Sequence, residues 1–174
     1  MLRSLGAALP MAYVFIRILI VLNWLVGACI LGLLIATIIA EQWTFSALGI
    51  GSASGIPQAI AGLRAVAVLG LVSIPLNFMV LKRLLAIVVT VRQGDPFVAE
   101  NAYRLNAIAW ALLGLQLISL AIGAIGKAIS TPHHPLHLDA GFSTSGWLAV
   151  ILTFVLARVF TEGTLMRQDL EGTV

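Results

Sequence analysis

The residues of this chain best suited to hold an ion lie in one short segment, Thr131-Pro-His-His-Pro-Leu-His-Leu-Asp139. Imidazole and carboxylate groups bind zinc, copper or nickel when about four of them converge. His133, His134, His137 and Asp139 are therefore the candidate metal ligands, and metal sensing is one reading of the segment. Its two prolines favour an extended or turned backbone over a helix, so the spacing does not bring the ligands onto one face. A solvated loop accounts for the segment without a metal, and no cofactor is expected.

Other chemistries fail on residue type. Haem held between helices needs histidine inside the membrane, and all 3 histidines belong to that one segment. The single cysteine, Cys29, sits in the middle of an apolar run and reads as a small packing residue. Ion coupling calls for a carboxylate at mid-bilayer, yet the 7 acidic residues, from Glu41 to Glu171, all fall outside the apolar runs. What remains inside them is uncharged: Asn23, Asn77, Asn106 and Gln116, with Pro75 expected to kink its helix. These residues either line a polar path for a small solute or hydrogen-bond neighbouring helices, and the second reading is the simpler one. The chain is not expected to be an enzyme.

Four apolar runs must position all of this: residues 18–40, 65–81, 105–126 and 142–157. A helix needs about 20 mostly apolar residues to cross a bilayer. The second run reaches that length by starting at Pro57, a good first-turn residue. The fourth does so by continuing past Arg158, whose head can reach the interface. The expected spans are 16–40, 57–81, 105–126 and 142–160, in a single domain covering 1–174. Residues 18–40 are too long an apolar stretch for a cleaved signal and read as an uncleaved first span.

Lys and Arg accumulate in cytoplasmic loops. Arg3, Arg17, Lys82, Arg83, Arg92, Arg104, Arg158 and Arg167 would lie inside, with Arg64 and Lys127 outside. Both termini are then cytoplasmic, outer loops cover 41–56 and 127–141, an inner loop covers 82–104, and a tail covers 161–174. This asymmetry absorbs the net charge of +3, so no direct nucleic-acid contact is needed. The fold class expected is an all-α integral membrane four-helix bundle, N-in and C-in, in a bacterial inner membrane. Small residues at four-residue spacing mark the faces that meet: Ala28, Gly32 and Ala36; Ala61, Ala65, Ser73 and Asn77; Ala107, Ala111, Ser119 and Gly123; Ala149, Thr153, Ala157 and Thr161. Such stripes serve packing between copies equally well, which keeps a homo-oligomer open.

Patterning continues beyond the bilayer on the inner side. Leu81, Leu84, Leu85 and Val88 keep helical spacing past Lys82 and Arg83, predicting a helical extension that stops at Gly94. In Gly94-Asp95-Pro96-Phe97 the glycine suits a helix end, while Asp95 and Pro96 suit the cap and first turn of the next helix. The fourth helix is likewise predicted to continue inside, with Arg158 and Glu162 spaced to pair and Gly172 placed to end it.

The stretch from Gly94 to Phe97 through Asn101 and Arg104-Leu105, with Val159-Phe-Thr-Glu-Gly163, Met166 and Asp169-Leu-Glu-Gly-Thr-Val174, resembles the YoaS-like family of small bacterial membrane proteins. The resemblance implies a four-span protein without assigned activity, encoded beside a small helix-turn-helix regulator. It therefore implies a cytoplasmic regulator as docking partner. Carried onto this chain, the contacts would be Phe97, Asn101, Arg104, Glu162, Gly163, Asp169 and Glu171. The alternative is that loop and tail pack on each other, with Arg104 facing Glu162 or Asp169 and Phe97 covering Met166.

Overall fold

In lipid every backbone N–H and C=O must find its partner within the protein, which makes helices the natural state of long apolar runs. A computed structural model describes residues 2–40, 56–129 and 140–171. They form α1 (Leu2–Ile39), α2 (Ile56–Arg92), α3 (Ala99–Ile129) and α4 (Thr144–Glu171). Each contains a stretch long and apolar enough to cross a membrane: Leu9–Ile39, Ile60–Arg92, Ala99–Ile129 and Thr144–Asp169. This is an all-α, multi-pass membrane protein. A helix rises about 1.5 Å per residue, so α2 is about 55 Å long and α4 about 42 Å, against a hydrocarbon core of about 30 Å.

Helices adjacent in sequence are adjacent in space: α1 packs on α2, α2 on α3 and α3 on α4. Among the described residues α1 meets neither α3 nor α4, so the four-helix bundle is open along α1. Neighbours run antiparallel. The Arg92 guanidinium at the end of α2 lies 5.5 Å from the Tyr13 ring near the start of α1. At the opposite end, Arg64 of α2 donates to the Thr37 carbonyl of α1, satisfying a backbone acceptor that the helix end leaves without a partner.

The face that α1 turns to α2 runs through Tyr13, Ile16, Ile20, Asn23, Gly27, Ile30, Leu34 and Thr37, all buried or half-buried. Their alternating three- and four-residue steps keep a seam parallel to a neighbour crossing at a shallow angle. The expected stripe of Ala28, Gly32 and Ala36 is not the seam. Ala28 and Gly32 are exposed, and a Cβ built on Gly32 meets nothing within 4 Å. A strict four-residue row is inclined to the helix axis and leaves a shallow interface within a few turns, which is why it fails here. Cys29 is exposed as well. Gly27 is the small residue that matters in α1, since a Cβ there would sit 3.2 Å from Ile74 of α2.

In α4 the same stepping selects Val150, Phe154, Ala157, Thr161 and Thr164, and Ala149 points outward. The α3 stripe does pack. Ala111 and Gly123 are buried, and a Cβ on Gly123 would lie 2.7 Å from the Ala140 carbonyl oxygen. The apolar core gathers Ile87, Leu105, Ile108 and Ala157, with Val80, Val91, Leu112 and Phe160 against them. It thus joins α2, α3 and α4 near one end of the bundle.

α2 continues unbroken through Pro75, although a proline removes one rung of the helical ladder. Side-chain donors crowd that stretch. Ser73 Oγ donates to the Gly70 carbonyl at 2.6 Å, Asn77 Nδ2 to Ser73 at 3.2 Å, and Asn23 Nδ2 of α1 to Ile74 at 3.2 Å.

Candidate functional site

The antiparallel order brings Arg17, Lys82, Arg83, Arg92, Arg104, Arg158 and Arg167 to one end of the bundle, called here the basic end, and Arg64 and Lys127 to the other. The connection from α2 to α3 at the basic end is fixed by a set of local hydrogen bonds. Gly94 closes α2 at φ +86°, a conformation that glycine adopts without a steric penalty. Its N–H bonds the Val91 carbonyl at 3.1 Å, and the Asp95 N–H bonds that of Thr90 at 3.2 Å. This pair of bonds is the Schellman arrangement.

Asn101 fastens the turn. Its side chain is fully buried, at 0% exposure. Nδ2 donates to Thr90 Oγ1 at 2.7 Å and to the Pro96 carbonyl at 2.9 Å, while Oδ1 accepts from Arg104 Nη1 at 2.7 Å. Thr90 Oγ1 in turn donates to the Ile87 carbonyl at 2.8 Å. One amide therefore joins the last turn of α2, the connecting loop and the first turns of α3. α3 begins at Ala99, later than a cap at Asp95 would give. The Asp95 carboxylate pairs instead with Arg167 of α4.

Phe97 crosses from the loop to α4. Its ring centroid lies 5.3 Å from that of Phe160, and a Cβ on Gly163 would come within 3.0 Å of its ring. Gly163 is thus the residue that admits Phe97. The loop-to-tail packing takes this form, with Arg104 on Asn101 and Phe97 on Phe160 and Gly163.

The sequence-derived candidates separate into two groups. Asn101, Arg104, Gly163 and part of Phe97 are tied into the internal packing. Glu162 and Asp169 are exposed on α4, beside exposed Leu165 and Met166. Glu162 pairs along the helix with Arg158 at 2.5 Å, and Glu171 is the last helical residue described. Of the intramembrane polar residues, Asn23 and Asn77 meet at the adjacent Ser73 and Ile74 carbonyls of α2, and Gln116 stands apart from them. Asn23 bonds across to α2, Asn77 bonds within α2, and Gln116 Nε2 reaches the Ser143 carbonyl before α4 at 3.4 Å. Joining helices and steadying the proline turn explains each of them. His133, His134, His137 and Asp139 lie outside the described residues, and among the described residues no three His, Cys, Asp or Glu side chains are grouped to hold a metal ion.

Sequence reasoning passed over Thr90, although a lone hydroxyl in the apolar extension of α2 was a visible signal. It also passed over two grooves beside Tyr103. One, of about 760 Å³, lies between α2 and α3 with Lys82, Arg83 and Arg104 on its walls. The other, of about 570 Å³, lies between α3 and α4 beside Asn106, Thr161, Leu165 and Gln168.

Residues 42–174 match the family described as Protein of unknown function (DUF2975). The chain belongs to that family. The matched segment contains the whole of α2, α3 and α4, with the Gly94–Asn101 turn, Gly163 and Asp169, and it leaves out α1. No curated protein and no solved structure matches the chain.

Proposed function

We propose that this is a non-enzymatic bacterial inner-membrane protein, with both termini in the cytoplasm, that docks a cytoplasmic partner on the end of α4. The orientation is supported by the clustering of Lys and Arg at one end, since such residues are retained on the cytoplasmic side. In that orientation the lengths of α2 and α4 in excess of the bilayer project inward.

The observation that carries the docking reading is the exposure of Leu165 and Met166 between the acidic residues Glu162 and Asp169. With Arg167 of the same stretch engaged by Asp95, the carboxylates of Glu162 and Asp169 flank this apolar pair, which suits an amphipathic partner carrying basic residues. The Asp95–Arg167 pair and the Phe97–Phe160 contact hold this end of α4 against the loop, so little ordering is required on binding. A small helix-turn-helix regulator, as the YoaS-like resemblance implies, has the required chemistry, because DNA-binding modules carry a basic face. The partner, not this chain, would then touch nucleic acid.

Crosslinking in native cells, then mild solubilisation and mass spectrometry, tests the reading. A cytosolic protein should be recovered with the full chain. It should be lost both with a chain ending before Asp169 and with Leu165→Glu/Met166→Glu, at unchanged thermal stability in detergent. Recovery of no cytosolic protein, or recovery indifferent to both changes, would overturn it.

A further inference from the structure

The groove between α2 and α3 carries more positive charge than the docking reading or the packing of the bundle uses. Its floor is apolar, with Phe78, Met79 and Ala86, and its rim carries Lys82, Arg83, Arg104 and Tyr103 against one carboxylate, Glu100. We infer that this groove binds the headgroup of an anionic phospholipid, with the phosphate among Lys82, Arg83 and Arg104 and an acyl chain running over Phe78 and Met79.

Three features choose this occupant. The first is charge: three cations against one carboxylate leave an excess that a net-negative headgroup neutralises and a zwitterionic one, bringing its own ammonium, does not. Basic pockets between membrane helices are suited to anionic headgroups for this reason. The second is depth. Phe78 and Met79 lie one helical turn further into the α2 span than Lys82 and Arg83, so the site is polar at the headgroup level and apolar directly beneath it. A soluble phosphate would use only the upper half. Phe78 is itself packed by Trp24 of α1, with ring centroids 5.6 Å apart.

The third feature is preorganisation. Arg104 is held by the buried Asn101 amide and still has further N–H groups to donate. The Arg83 guanidinium lies 5.8 Å from the centre of the exposed Tyr103 ring, an aromatic residue of the kind that settles at the interface. Two of the three cations are therefore positioned before a lipid arrives.

Native mass spectrometry of the full chain in mild detergent, with phosphatidylglycerol or phosphatidylcholine added at equal concentration, tests the assignment. Phosphatidylglycerol should be retained on the order of tenfold more, equivalent to about 1.4 kcal/mol. Lys82→Gln/Arg83→Gln should abolish that preference, whereas the charge-matched Arg92→Gln/Arg158→Gln, outside the groove, should preserve it. Equal retention of the two lipids, or equal loss in both double variants, would overturn the proposal in favour of a diffuse charge belt. Displacement of the lipid by millimolar inorganic phosphate would reassign the groove to a soluble anion. Should the double variant fail to fold, the exposed Lys82 carries the test alone: Lys82→Glu should lower the preference severalfold, and an unchanged preference would sink the proposal. None of these readouts depends on the α4 surface, so the lipid site and the docking reading can fail separately.

Discussion

Asn101 shows how a single amide can decide the conformation of a whole face. It is completely buried and makes three side-chain hydrogen bonds to three different segments. Replacing it by alanine leaves the Pro96 carbonyl and the Arg104 guanidinium without this partner, and an unsatisfied buried group costs about 1–3 kcal/mol. Asn101→Ala is therefore expected to destabilise the protein by about 2–3 kcal/mol, read as a lowered Tm in detergent. Asp95→Asn, which removes a half-exposed ion pair, should cost less than about 1 kcal/mol in the same measurement. Equal effects would show that the turn rests on charge and not on the amide. The local grammar here was legible: Gly94 announced the helix end from its type and place. The partner of Asp95 was not, because Arg167 lies 72 residues further along the chain and no local pattern reaches across that separation.

At the scale of elements, the four apolar runs made the helices legible, but the faces that meet were only partly so. Small residues recur throughout these helices, and a four-residue period fits several faces of each. The structure separates glycines that admit a neighbour from glycines that face open space. A Cβ at Gly123 would fall 2.7 Å from the Ala140 carbonyl oxygen and equally close to the Gly141 Cα, both of them backbone atoms that cannot rotate away. Gly32 has open space. Gly123→Ala should then destabilise by about 1–3 kcal/mol, as overpacking does. Gly32→Ala should be neutral or stabilise by up to about 1 kcal/mol, from helix propensity alone. Thermal unfolding of the two variants side by side checks this, and a destabilising Gly32→Ala with a silent Gly123→Ala would reverse the assignment of seams. The reason such seams resist reading is physical: in lipid the apolar face turned to a neighbour and the face turned to acyl chains have the same composition, so hydropathy distinguishes neither.

At the scale of the molecule, the family segment and the packing coincide. Residues 42–174 contain the three helices that share the buried core and the Asn101 turn, while α1 lies outside the match and, among the described residues, packs on α2 alone. Everything assigned to the basic end, the acidic face of α4 and the lipid groove alike, then depends on which side of the membrane that end occupies. Charge bias is the physical basis for placing it inside, and cysteine accessibility measures it directly. In a Cys29→Ser background, which leaves the introduced cysteine as the one thiol of the sequence, Lys127→Cys places a thiol at the far end and Gln168→Cys places one on the exposed side of α4. A membrane-impermeant maleimide should label Lys127→Cys in intact spheroplasts and Gln168→Cys only after lysis. The reverse pattern would put Glu162, Leu165, Met166 and Asp169 outside the cell, where no cytoplasmic regulator could reach them. The lipid groove would then face the outer leaflet, and its preference for an anionic headgroup would stand or fall on the mass-spectrometric comparison alone.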